Sequence, residues 1–288
     1  LLTNRIKHSE YSFGKPDVKE AGDEGYLMVG FESETGEVAG TTGIEASIGW
    51  DVPFYSYHIS KVVHSSPKLG VNNVVKLLTF GNNYTGNSEI CTLFLREKFR
   101  GGLNGRLMSK CRFLMMAEHP ERFSETIFAE MRGVSDEHGN SPFWQWLQEH
   151  FFSIDFTLAD YLTGIGKKGF IADLMPKLPI YINLLSPEAQ AVIGKVHDNT
   201  RPALKLLERE GFTNRGYVDI FDGGPTVECD LRNIESVRHS FRAQVKISEH
   251  TSTQDFLMCN SSFENFRAAA AKAAYDAETQ SVVLAPEL

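Results

Sequence analysis

Arg96-Glu97-Lys98-Phe99-Arg100-Gly101-Gly102-Leu103-Asn104-Gly105-Arg106 puts four cations and three glycines into one short stretch. The run before it, Ile90 to Leu95, is apolar and β-prone with no polar face, which reads as a strand buried on both sides. A helix is expected to open near Gly102 to Arg106 and run through Met116. Strand, glycine loop and helix N-terminus direct free backbone N–H groups and the positive end of the helix at one spot, the chemistry of an anion site. Arg96, Lys98, Arg100 and Arg106 add charge of the right sign, so the expected guest carries phosphate. No Gly-Lys-Ser/Thr follows the glycines, which excludes a P-loop, and G-x-G-x-x-G is not present in this stretch. The competing reading is an ordinary glycine-rich turn from strand to helix.

The elements that must position this loop follow from spacing. Leu2 and Ile6 give the first residues a helical period, followed by a polar stretch to about Glu24. Tyr26 to Phe31 and Val38 to Ile48 read as a hairpin around Ser33-Glu34-Thr35-Gly36. Tyr55 to Val63 alternates as a third strand, and Val71 to Phe80 is assigned as strand rather than helix. After the helix of 102–118, Thr126 to Met131 is a strand, Gly133 to Pro142 a loop and Phe143 to His150 an aromatic helix. Helical stretches follow near 158–164 and 168–174. Ser186-Pro187-Glu188 starts another, with a capping Ser and a Pro in the first turn. Thr200 to Glu210 is a helix stopped by Gly211, and Tyr217 to Phe221 and Thr226 to Leu231 are closing strands. Ala268 to Ala274 is helical by propensity alone, but its turn-like flank at Asp276-Ala277-Glu278 favours a small β appendage with Phe241 to Ile247 and Phe256 to Cys259. Residues 1-232 are thus expected to form the main domain and 233-288 a small, mainly β subdomain.

Composition narrows the function classes. With 288 residues, 42% hydrophobic and 23% charged, the chain has the makeup of a globular protein. A net charge of −8 argues against broad nucleic-acid or membrane-surface binding, so any basic site is local. Cys91, Cys111, Cys229 and Cys259 form no C-x-x-C pair or zinc spacing and read as reduced thiols. No long apolar run or signal peptide is evident, and a cytoplasmic location is the expectation.

The loop at Arg100, Gly105 and Arg106 resembles the R-x-x-G-x-G pyrophosphate loop of GNAT-type acyltransferases, with Leu103 where that loop's first glycine is expected. Closer likeness comes from Ala129-Glu130-Met131-Arg132-Gly133-Val134, Asp136-Glu137-His138-Gly139, Ser141-Pro142-Phe143-Trp144-Gln145 and Val218-Asp219-Ile220-Phe221-Asp222-Gly223-Gly224-Pro225-Thr226. With Glu89 to Leu95 and Ala172 to Lys177, these resemble the bacterial arginine N-succinyltransferases over about residues 25 to 232. The fold this implies is α+β with a mixed α/β sheet, a GNAT-type acyl-CoA N-acyltransferase fold. Phe143 to Phe152 echoes Ala203 to Phe212, which suggests duplication or elaboration of that sheet, against chance likeness of two amphipathic helices. Family members carry a further strand and helix ahead of the position matching Leu1, so part of the acceptor side is expected to be missing.

The resemblance implies succinyl-CoA as co-substrate, L-arginine as acceptor, N2-succinylarginine and coenzyme A as products, and no metal or prosthetic group. It makes His197 the proton donor and puts Leu93, mid-strand, against succinyl-CoA; Arg100, Gly105 and Arg106 would hold the diphosphate. From sequence alone His197 is a surface residue beside a helix cap at Asp198 or Asn199, and imidazole suits the role because it titrates near neutrality. Glu89 and Glu130 are candidates for the base or for guanidinium recognition, against simple strand-end solvation. Arg132 would meet a carboxylate of either substrate or Asp136; Asp219 and Asp222 would meet the guanidinium, against a turn role for Asp222. His138 is the rival acid or base. Ornithine as acceptor and a non-catalytic acyl-CoA sensor are the alternatives, and both a homo-oligomer and a hetero-oligomer with a related subunit remain open.

Overall fold

The computed structural model describes residues 2–152, 158, 161–162, 173–248 and 254–286. The helices expected near 158–164 and 168–174 fall largely outside the described residues. The chain forms two compact units: the first is built from Ser47–Glu89 and Thr126–Cys229, the second from Thr3–Ala46, Ile90–Glu125 and Asp230–Leu288.

In the first unit, β3 (Ser56–Ser66) and β4 (Val71–Gly81) form a long antiparallel ribbon, in register from Ser56↔Gly81 to Ser66↔Val71. Among the described residues, further strands pair with it at its base: β7 (Ile180–Tyr181) beside Leu77 and Leu78, and β8 (Tyr217–Asp219) beside residues 56–58. Tyr57 and Leu78 point to one side, where they meet Phe143, Trp144 and Leu147 of helix α3 (Pro142–Phe151) and Val218 and Ile220. The spacing of Phe143 and Leu147 sets both on one helical face, and each fully buried apolar side chain contributes about 1.5–3 kcal/mol. Ser141 caps α3, its Oγ accepting from Phe143 N at 3.3 Å, and Pro142 takes the first turn. Ser186 does the same for α4 (Pro187–Val192), as its sequence predicts. Helix α5 (Arg201–Arg209) ends before Gly211, which is left-handed at φ 96°. Strands β6 (Thr126–Glu130) and β9 (Thr226–Asp230) lie side by side, and β6 pairs parallel with the opening of β5 (Ser88–Leu95) through Ser88↔Ile127 and Glu89↔Phe128.

In the second unit, β1 (Gly25–Phe31) and β2 (Val38–Glu45) form the expected hairpin, and β2 neighbours β5. Helix α1 (Leu2–Phe13) is anchored by serines: Ser9 Oγ accepts from Leu27 N at 2.8 Å and Ser12 Oγ from Gly25 N at 3.2 Å. Helix α2 (Asn104–Glu118) buries Met108, Cys111, Phe113, Met115 and Met116. The tail is β, as the flanking turn predicts. Strand β12 (Ala268–Lys272) pairs antiparallel with β11 (Asp255–Cys259), placing Ala270 opposite Leu257. Tertiary pairing overrides the helix propensity of the alanines. Strands β10 (Gln244–Ile247), β13 (Ala274–Asp276) and β14 (Ser281–Leu284) form a separate small sheet. Among the described residues no helix is long and apolar enough to cross a membrane.

Candidate active site

The predicted anion loop lies in the second unit, and one expectation about its strand is corrected there. Leu93 and Phe94 are 36% and 56% exposed, so Ile90 to Leu95 is not buried on both sides. Thr92, at φ 56°, is a left-handed residue inside a strand, and it breaks the alternation that would have turned one of these neighbours inward. Its carbonyl accepts from Thr41 Oγ1 at 3.1 Å, which ties the irregularity to β2. An exposed apolar pair therefore sits next to the loop.

After β5, Glu97–Phe99 form a single 3₁₀ turn and Arg100 Nε donates to Leu95 O at 3.1 Å. Gly101 and Gly102 take φ of 148° and 52°, conformations that favour glycine. A Cβ at Gly101, Gly102 or Gly105 would meet no atom within 4 Å. Leu103 occupies the N-cap position of α2 in a helical conformation and supplies no side-chain acceptor, so no capping side chain covers the first N–H groups. Of the four predicted cations, two are committed elsewhere: Arg96 and Lys98 both pair with Glu37, at 2.6 and 2.5 Å. Arg106 is exposed and makes no ion pair among the described residues, and Arg100 engages the chain through its Nε.

The other candidates belong to the first unit, where three segments meet beyond the end of β6. His197 N donates to Arg132 O at 2.9 Å, and Gly133 bridges Val196. Neither Asp198 nor Asn199 caps α5, whose N-cap position is Thr200 without a side-chain bond; His197 instead caps the 3₁₀ turn Asp198–Thr200 ahead of it, its Nδ1 accepting from Asn199 N at 3.1 Å. In the neutral ring, an acceptor at Nδ1 leaves the proton on Nε2. Asp198 instead pairs with Arg201. His197 is half-buried and borders an open pocket of about 610 Å³ with Val134, Ser135, Lys195, Asn199 and Arg201. Arg132 is exposed and donates to Ser135 Oγ at 2.8 Å; Asp136 is occupied in its own loop, accepting from His138 N and Asn140 N. That loop holds the rival His138 in an exposed position. Glu130 is half-buried at the end of β6.

Asp219 and Asp222 lie in the turn that ends β8. Asp219 Oδ1 accepts from Phe221 N at 2.7 Å and Asp222 N at 2.8 Å. Loss of water raises the Asp219 carboxyl well above the usual carboxylate range, and the charge of Asp222 adds to the shift. Asp222 accepts from Gly133 N at 2.7 Å and from Gly224 N at 2.8 Å, one bond on each oxygen.

Comparison with known proteins decides the family. A sequence model of the "Arginine N-succinyltransferase beta subunit" matches residues 1–236, and one of that subunit's C-terminal domain matches residues 241–288. The chain belongs to the arginine N-succinyltransferase beta subunit family. Arginine N-succinyltransferases of Salmonella paratyphi B and Salmonella newport are each 49% identical to it over 266 residues, covering 91% of this chain and 76% of theirs. The solved structure of arginine/ornithine succinyltransferase subunit AI from Pseudomonas aeruginosa superposes with a TM-score of 0.88 at 35% identity, covering 99% of this chain and 83% of that one. The mixed α+β arrangement is a GNAT-like acyltransferase fold.

Within this succinyltransferase-family chain, His197, Arg132, Asp219 and Asp222 are thus brought into one unit, and Leu93, Arg100, Gly105 and Arg106 into the other. Reading by sequence missed Lys195 and Ser135 as walls of the His197 pocket, and Thr92 as the residue that exposes Leu93. The pocket walls were foreshadowed only by adjacency to His197; a threonine in a β-prone run carries no signal of a left-handed backbone.

Proposed function

We infer that this chain transfers the succinyl group of succinyl-CoA to the α-amine of L-arginine, releasing N2-succinylarginine and coenzyme A. Family membership across nearly the whole length carries this reading, through relatives named for that activity. In the second unit, the exposed Leu93 strand takes the acyl-pantetheine arm. The open glycine turn, with Arg100, Gly105 and Arg106, takes the diphosphate at the start of α2. In the first unit, His197 presents Nε2–H. The neutral amine attacks the thioester carbonyl, the C–N bond forms and the C–S bond breaks. The sulfur leaves as the thiol, gaining one proton for the one the amine loses, and His197 is the proposed proton donor. Glu130, Arg132 and Asp219 remain the candidates for holding the acceptor. Reduced thiols and a net acidic chain fit work in the cytoplasm.

The test is thiol release from succinyl-CoA with arginine, and separately with ornithine, the second amino acid for which the Pseudomonas aeruginosa enzyme is named. His197→Ala should lower kcat about a hundredfold or more while leaving succinyl-CoA affinity within about twofold. Unchanged turnover would remove His197 from the mechanism. No thiol release with either amino acid would leave acyl-CoA sensing as the better description.

A further inference from the structure

Asp222 does more than shape its own turn. Its two carboxylate oxygens reach two separate pieces of chain, Gly133 N at 2.7 Å and Gly224 N at 2.8 Å. The backbone around it completes the connection: Met131 N donates to Pro225 O at 3.0 Å, Gly194 N to Gly223 O at 2.7 Å and His197 N to Arg132 O at 2.9 Å. Residues 131–133, 194–197 and 222–225 are therefore laced together by backbone bonds, with one carboxylate at the junction. The junction admits no side chain. A Cβ on Gly133 would lie 2.7 Å from both Asp222 O and Gly224 N, and one on Gly224 would overlap Met131 O. Two glycines excluded from bearing a Cβ by backbone atoms, and a carboxylate shared between their N–H groups, form a built joint rather than a loose turn.

We propose that Asp222 is a positioning residue for the acyl transfer: it fixes the 131–133 segment, whose Arg132 carbonyl in turn fixes His197. This rests on the role given to His197 above. Its other bonds stay within its own segment, Nδ1 accepting from Asn199 N and its carbonyl from Thr200 N at 2.9 Å and Arg201 N at 3.1 Å, so the bond to Arg132 O is what ties this histidine to the 131–133 segment. A shift of about 1 Å at a reacting group can cost on the order of a hundredfold in rate. Asn at 222 keeps size and turn preference but can accept only one of the two N–H bonds, and its amide N–H would oppose the other donor. Asp222 touches neither substrate in this scheme.

Asp222→Asn should lower kcat about ten- to a hundredfold with both KM values within about twofold. Asp276→Asn serves as the control. It removes a carboxylate that caps a turn in the tail, accepting from Glu278 N, and should lower Tm without changing kcat. Amide hydrogen exchange supplies the second readout. In Asp222→Asn the amides of Gly133 and His197 should exchange about tenfold faster than in the wild type, and Asp276→Asn should leave them unaltered. If the wild type turns over neither arginine nor ornithine, the functional reading fails while the exchange result still judges the joint. The proposal is overturned if Asp222→Asn keeps wild-type kcat, or if exchange at Gly133 and His197 does not change.

Discussion

Two glycine clusters in this chain serve opposite purposes. Around Gly101, Gly102 and Gly105 a side chain would meet nothing, and the backbone lies open at the start of a fifteen-residue helix. Around Gly133 and Gly224 a single Cβ would run into the backbone of another segment. The first cluster leaves room for a guest, and the second closes a gap between parts of the same chain. Glycine in a motif thus has no fixed meaning; the space around the missing Cβ supplies it.

The sharpest way to break this contrast is to add a methyl group to each cluster. Gly224→Ala drives Cβ into Met131 O and against Gly133 N. The expected cost is about 3 kcal/mol or more, because both neighbours are backbone and have no rotamer to move into. Chemical denaturation reads it directly, and a loss below about 1 kcal/mol would mean the joint is softer than its geometry implies. The second-largest effect belongs to the open cluster. Arg100→Ala and Arg106→Ala should each raise KM for succinyl-CoA about tenfold with kcat held, as expected for one charge-assisted contact to phosphate. Arg96→Ala is the discriminating control. Arg96 already pairs with Glu37, so its removal should change KM by no more than about twofold.

The two clusters also differ in how well sequence foretold them. The strand–glycine–helix order around Gly101 was legible because charge, spacing and periodicity agree there. Which of its cations are free was not, since Glu37 lies far away in the chain and takes both Arg96 and Lys98. The Asp222-Gly223-Gly224-Pro225 stretch reads as a turn, and it is one. Its bond to Gly133 spans 89 positions, which no local pattern reports. The same limit explains Leu93 and Phe94: an apolar run predicts burial, and only the left-handed Thr92 turns both outward. Where local signals agreed, as at Ser186-Pro187, the start of the element was legible, whereas the Ser141 cap was not read and β3, expected to end at Val63, runs on to Ser66. The tail shows the competing case, in which alanines favour helix locally and pairing with Phe256 and Leu257 makes strand.

The joint also predicts a pH dependence. Asp219 holds its proton more tightly folded than unfolded, because its surroundings exclude water and face Asp222. Its contribution to stability is therefore complete below the ordinary carboxylate pKa of about 3.9 and is lost as pH rises through the raised folded value. Asp219→Asn carries no titrating group. The wild type should lose about 2–4 °C in Tm relative to this variant as pH is raised from acid to mildly alkaline. Parallel Tm curves for the two proteins would show that Asp219 titrates normally.

The smallest effect is the most telling one for the open cluster. Gly105 lies in the first turn of α2, at an ordinary backbone angle, with no atom near its missing Cβ. Gly105→Ala should therefore stabilise the protein by about 0.5–1 kcal/mol, since alanine is the better helix former and restricts the unfolded chain. In the same variant KM for succinyl-CoA should rise several-fold if the diphosphate approaches the backbone here as proposed, because the methyl group would stand in its way. Opposite signs for stability and affinity in one substitution are what an open phosphate cradle predicts. A packing glycine would lose both, and a glycine in an idle turn would gain stability with KM unmoved.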